Sequence, residues 1–187
     1  MLATSRRFNR RHIEVPPERL PAALQCHGAD VADTHTAWTY DIVLAQQRDF
    51  YARAGTWATM GATVLSTITS AAIWASLQSD PSTAARVVVI CISVLAAVLS
   101  GIRAFGLVGY KNEYKEAQEE WCKIASARRD QLDTLLRGEQ IDKNQSHSLQ
   151  REQLEATQPY VPQPRFNRVS AEVDDNMIKL GYYVSRS

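Results

Sequence analysis

Hydroxylated and small side chains recur at helical spacing through the middle of the chain. They form two adjacent rows with steps of four residues between Arg53 and Asp80. The leading candidates in these rows are Thr59, Thr63, Ser66, Thr67 and Ser70, and a second stretch repeats the theme with Ser93, Ala97 and Gly101. Small residues let helix backbones approach closely, and hydroxyl groups can bond between helices. Two interpretations stay open, namely tight helix packing and a row that lines a water-filled path in an oligomer.

Arg103 is the one charged residue inside the second apolar stretch, where charges are usually functional. Its position near the end of that stretch also allows the guanidinium to reach lipid headgroups along its own alkyl stem. The alternative places Arg103 at the inner mouth of a pore. Both interpretations stay open.

No other residue pattern indicates catalysis. The four histidines and three cysteines show no metal-ligand spacing; they are His12, His27, His35, His147, Cys26, Cys91 and Cys122. A glycine-rich phosphate loop, a nucleophile elbow and a paired-acid motif are all lacking from the sequence. We therefore expect no enzyme activity, no metal site and no cofactor.

Two uncharged stretches set the predicted architecture. The stretch after Arg53 runs for about 26 positions, or roughly 39 Å as a helix, which suffices to cross a bilayer. The sequence predicts an all-α integral membrane protein, with a transmembrane two-helix hairpin of helices at about 54–78 and 87–109. Lys and Arg flank the hairpin and are scarce in its turn, so we expect a multi-pass protein of the inner (plasma) membrane with both termini cytoplasmic.

Amphipathic cytoplasmic helices are predicted to flank the hairpin within a domain at 33–137. An approach helix begins near Asp33, and a helix at about 110–137 follows the hairpin. The latter has a coiled-coil seam with alternating steps of four and three. Its members are Tyr110, Tyr114, Ala117, Trp121 and Ile124. Outside this domain we expect a basic, proline-punctuated arm at 1–32 and a polar, proline-rich tail at 138–187.

Composition limits the partners. The formal net charge of +1 gives no bulk attraction to nucleic acid, so no nucleic-acid partner is expected. The mean hydropathy of −0.28 averages the uncharged middle with heavily charged flanks. The partners predicted from the pattern are a lipid bilayer and further copies of the same chain.

The assembled layout resembles the SLATT family, two-transmembrane effector domains associated with bacterial nucleotide-signalling defence systems. The segments that carry the resemblance are QRDFYAR at 47–53, the Ala/Thr-rich helix after it, SGIRAFG at 100–106 and YKNEYKEAQEEWCKIASARRDQL at 110–132. The resemblance implies an antiviral effector that oligomerises and forms a pore or perturbs the inner membrane. A nucleotide-signalling sensor protein would activate it. The alternative is a membrane-anchored scaffold or sensor subunit that recruits a cytoplasmic partner.

Overall fold

The computed structural model describes residues 15–78, 83–102 and 106–184. Within these ranges the chain forms five α-helices and two short 3₁₀ segments, and no strand. The helices are α1 (Gly28–Gln78), α2 (Thr83–Ile102), α3 (Val108–Leu136), α4 (Lys143–Glu155) and α5 (Gln163–Lys179). The 3₁₀ segments, Pro17–Arg19 and Ala22–His27, precede α1. The predicted approach helix and first hairpin helix are thus one continuous helix of 51 residues.

The chain divides into two compact units. Unit 1 combines the residues up to Gln46 with those from Tyr114 onward, and unit 2 is Gln47–Glu113. Unit 1 therefore contains the first part of α1, most of α3, and all of α4 and α5. Unit 2 contains the rest of α1, α2 and the first residues of α3.

The core of unit 1 is built from helix faces with apolar side chains every three or four residues. The α1 face includes Val31, Tyr40, Val43 and Leu44, all buried. Aromatic contacts join the helices, since the Tyr40 ring stacks on Trp121 of α3 at a centroid distance of 4.6 Å and meets Phe166 of α5 at 5.2 Å. Burial of side chains of this size contributes about 1.5–3 kcal/mol each.

The C-terminal residues contribute to this core as well. The sequence predicts a polar, proline-rich tail at 138–187, and the structure forms α4 and α5 there. Asp142 caps α4 by accepting the Asn144 N–H, and α5 begins after Pro162 with Pro164 in its first turn, where the fixed φ of proline suits a helix. The apolar face of α5 is fully covered and consists of Phe166, Val169, Val173 and Met177. Leu20 and Leu24, within the predicted N-terminal arm, are buried as well.

The membrane prediction is wrong. Across residues 15–78, 83–102 and 106–184, no helix combines the length and the hydropathy that a bilayer span requires. In α1 the uncharged stretch is diluted by threonine and serine. In α2 the apolar run from Val87 to Ile102 is shorter than the roughly 20 residues that span a bilayer. The chain is all-helical as predicted, whereas the transmembrane hairpin, the multi-pass topology and the inner-membrane location are withdrawn.

Candidate interaction surface

Large apolar side chains are exposed on both helices of unit 2. In α1 these are Trp57, Met60, Val64, Ile68 and Ile73, and in α2 they are Val87, Val88, Ile90, Val94, Leu95 and Val98. Trp57 is 73% exposed and Ile90 is 61% exposed. Monomeric soluble proteins seldom expose contiguous apolar patches larger than about 600 Å². We call these eleven side chains the apolar surface of unit 2.

The apolar surface contains two stripes with the same spacing. Its α1 stripe is Trp57, Met60, Val64 and Ile68, with steps of three, four and four. Its α2 stripe is Val87, Ile90, Val94 and Val98, with the same steps. Residues at this spacing lie along one face of a helix and form the seam on which a second helix packs. Each stripe is therefore one exposed apolar face of its helix.

Inside unit 2 the two helices meet at a small residue. A Cβ added to Gly61 would lie 3.6 Å from Leu99 Cδ1, so Gly61 marks a close approach of α2 to α1. Thr69 is buried, and Tyr51 stacks on Tyr110 at 5.5 Å. Contacts within the unit leave the stripes of the apolar surface uncovered.

The hydroxyl groups proposed to line a path bond within their own helices. Thr59 Oγ1 donates to the Gly55 carbonyl at 2.8 Å, and Ser93 Oγ donates to the Val89 carbonyl at 2.8 Å. The same bond to the carbonyl four residues earlier is made by Thr63, Thr67, Thr69 and Ser70. This bonding satisfies the hydroxyl protons without a partner helix.

The other candidates from these rows have different surroundings. Ser66 and Ala97 are exposed and Gly101 is half-buried. Arg103 lies outside the described residues. The hydroxylated candidates therefore lie on the two helices of unit 2. The hydroxyl bonds given above all stay within one helix.

The predicted seam of α3 is buried in unit 1, except at its first member. Tyr114, Ala117, Trp121 and Ile124 are at most 5% exposed, whereas Tyr110 is 52% exposed. Two polar groups of the seam are satisfied by backbone carbonyls. Tyr114 Oη donates to the Tyr160 carbonyl at 2.6 Å, and Trp121 Nε1 donates to the Thr157 carbonyl at 3.0 Å. The seam therefore holds the residues between α4 and α5 against α3.

A buried ion network lies further along the same seam. Arg128 is 1% exposed, and its guanidinium lies 3.4 Å from Asp30 Oδ1 and 3.3 Å from Asp33 Oδ2. Burial lowers the pKa of Arg128, and the two carboxylates act in the opposite direction. The sequence analysis missed this group, although Arg128 follows Ile124 by four residues and Gln131 follows Arg128 by three. The seam spacing could have identified it.

A second polar cluster surrounds His35, which is fully buried. His35 Nε2 lies 3.1 Å from Asp174 Oδ1, but the ring nitrogen and the carboxylate are not aligned for a hydrogen bond. Arg19 approaches the same carboxylate at 3.6 Å and stacks over the Tyr183 ring. Burial lowers the pKa of His35 and raises the pKa of Tyr183. Residues so far apart in sequence leave no local signal.

These clusters do not form a metal centre. Among the described residues, no three or more His, Cys, Asp or Glu side chains are grouped so as to hold a metal ion. The charged groups instead pair with one another, as the carboxylate of Asp174 does with His35 and Arg19. Their arrangement joins helices within unit 1.

Comparison of the chain with family models, with curated proteins and with solved structures gives no match. The resemblance to the SLATT family therefore stays a prediction. No finding supports the expected role in antiviral defence.

Proposed function

We propose that this protein is a non-catalytic assembly protein that binds a second copy of itself through the apolar surface of unit 2. One observation carries the proposal. The α1 and α2 stripes are exposed, uncharged and identical in spacing. A surface of this kind is costly in water and is stabilised when another helix pair covers it.

A second copy fits this surface for a geometric reason. Two packed helices form half of a four-helix bundle, and two such pairs complete it by packing their apolar stripes together. In a two-fold dimer the same patch serves both partners, so each stripe needs to complement only another copy of the pair. Val64 and Val94 lie inside their stripes and would be central in such a bundle.

Analytical ultracentrifugation of the full chain in the absence of lipid tests the proposal. We expect the wild type to sediment as a dimer or a larger assembly. The double substitution Val64→Lys and Val94→Lys should yield monomers, because burying two unpaired ammonium groups costs several kcal/mol. Ser66→Lys combined with Ser100→Lys is the matched control, since both serines are exposed and each lies two residues from a stripe member, on a different face of its helix.

Two results would contradict the proposal. One is a wild-type protein that stays monomeric at all concentrations tested. The other is a protein that remains monomeric in buffer and sediments only with phospholipid vesicles, which would assign the surface to lipid. Circular dichroism of the double variant confirms that its helices are retained.

A further inference from the structure

A polar cavity lies between the end of α3 and the beginning of α4. Its volume is about 180 Å³. The lining residues come from α3, the connecting loop and the first turn of α4, and they are Ala127, Asp130, Gln131, Thr134, Gln140, Ile141, Asp142 and Gln145. All belong to unit 1, whereas the apolar surface defined above consists of residues of unit 2.

The charge of the lining selects the kind of ligand. Asp130 and Asp142 supply two carboxylates, and the lining contains neither lysine nor arginine. Asp142 Oδ1 already accepts the Asn144 N–H at 2.9 Å, and a carboxylate can accept further bonds through its remaining lone pairs. Such a cavity favours a cation and disfavours a phosphate group.

Gln131 adds a hydrogen-bond donor to this lining. The residue is 4% exposed, and within the described part of the chain its Nε2 has no acceptor. Its Oε1 accepts a bond from Arg128 Nη1 at 3.4 Å, which identifies the nitrogen as the atom without a partner. A buried donor without an acceptor carries a free-energy cost, because it has lost its hydrogen bonds to water. An acceptor oxygen on a ligand would recover that cost.

The network behind Gln131 holds its side chain in place. Arg128 is fixed by Asp30 and Asp33 of α1, and Ser146 of α4 donates to Asp30 Oδ1 at 3.4 Å. Three helices therefore contribute to the orientation of one amide. A preorganised donor of this kind binds a ligand without first losing side-chain entropy.

The volume limits the size of the ligand. A water molecule occupies about 30 Å³ of the liquid, so the cavity has space for roughly six waters. A ligand with about five to eight non-hydrogen atoms fits this space. A nucleotide is disfavoured by its charge, because its phosphate groups would lie beside the two carboxylates.

From these features we propose that the cavity binds a small organic cation that also carries an acceptor oxygen. The cationic nitrogen lies near Asp130 and Asp142, and the acceptor oxygen takes the bond from Gln131 Nε2. A primary amine with a neighbouring carboxamide has both groups at this size. Glycinamide is the simplest such probe.

Titration of the ¹⁵N-labelled full chain with glycinamide, followed by NMR, tests the proposal. The Gln131 side-chain amide signal is assigned by its loss in Gln131→Met. We expect this signal to shift and saturate with a Kd on the order of 1 mM, as suits a ligand of about five non-hydrogen atoms. Asp130→Asn should weaken binding at least several-fold, because it removes one carboxylate.

Matched controls distinguish this site from weak general binding. Asp175→Asn changes an exposed carboxylate of α5 outside the lining and should leave the Kd unchanged. Glycolamide has a hydroxyl group in place of the ammonium group and should bind far more weakly. Equal binding of the two ligands, an unchanged Kd in Asp130→Asn, or an unshifted Gln131 signal would each overturn the proposal.

Discussion

The guanidinium of Arg128 lies 3.3 Å from the carboxylate of Asp33, an ion pair that joins α3 to α1 in the interior of unit 1. The arginine side chain is 1% exposed, whereas the aspartate side chain is 21% exposed. Water therefore reaches the carboxylate more readily than the guanidinium. Removing the aspartate and removing the arginine should therefore lower the free energy of unfolding by different amounts.

We predict that Asp33→Asn lowers the free energy of unfolding by about 3 kcal/mol, because a buried guanidinium then loses one of its two carboxylates. Arg128→Met should cost less, since it leaves two carboxylates that water can reach. Urea denaturation measures both variants. Asp175→Asn, on an exposed carboxylate, is the control and should change stability little. Wild-type stability in Asp33→Asn would refute the prediction.

Acid should destabilise unit 1 through His35. Burial lowers the pKa of His35 in the folded protein, and Asp174 offsets that effect only partly. As pH falls below the unfolded value of 6.5, the unfolded chain binds a proton that the folded chain does not. The free energy of unfolding should then decrease by up to about 1.4 kcal/mol per pH unit until the folded pKa is reached.

Urea denaturation at several pH values between neutrality and mild acid measures this slope. His35→Gln should reduce it, because the variant has no imidazole to titrate. His147→Gln, at an exposed position of α4, should leave the slope as in the wild type. A slope that persists unchanged in His35→Gln would exclude His35 as its source.

Trp121 has two roles that one substitution can separate. Its ring stacks on Tyr40, and its Nε1 donates to the Thr157 carbonyl. We expect Trp121→Phe to keep most of the stacking, lose the hydrogen bond and cost about 1–2 kcal/mol. Glu172→Gln, at an exposed position of α5, is the control and should change stability by less than about 0.5 kcal/mol. Thermal unfolding followed by circular dichroism compares the two variants.

Gly181 ends α5 with a positive φ of 79°. At this position the Tyr182 N–H donates to the Met177 carbonyl at 2.9 Å, and the Tyr182 ring is buried with its hydroxyl bonded to Asp133. Gly181→Ala should destabilise the protein by about 1–2 kcal/mol, because a Cβ disfavours the left-handed conformation.

Gly28→Ala is the matched control for Gly181→Ala in the same unit. Gly28 has a helical φ of −55°, and an added Cβ would make an ordinary contact at 3.6 Å with Leu20. This variant should be as stable as the wild type or slightly more stable. Equal stability of the two variants in chemical denaturation would contradict the conformational explanation.

The sequence predicted helices and the spacing of the α3 seam, because local periodicity encodes both. Prediction from the sequence failed where the structure depends on mean hydropathy or on tertiary packing. The uncharged run in α1 predicted a membrane helix, but the threonines of this run lower its mean hydropathy. Prolines led to the prediction of a polar tail with an extended linker, although Phe166 and Val169 begin an apolar helix face with steps of three and four. His35 and Asp174 meet only through tertiary packing, so no local pattern records them.

Unit 1 combines residues that precede unit 2 in the chain with residues that follow it. The two parts of unit 1 are therefore synthesised at different times on the ribosome. The Gln153 side chain donates to the Asp33 carbonyl across 120 positions of the chain. At about 5–20 residues per second, translation of that interval takes roughly 6–24 s. Until α3 and α5 have been synthesised, the Tyr40 ring lacks its contacts with Trp121 and Phe166. Unit 2 is translated before these helices cover the first part of α1. Nascent chains therefore pass through a stage in which the apolar face of the first part of α1 is exposed.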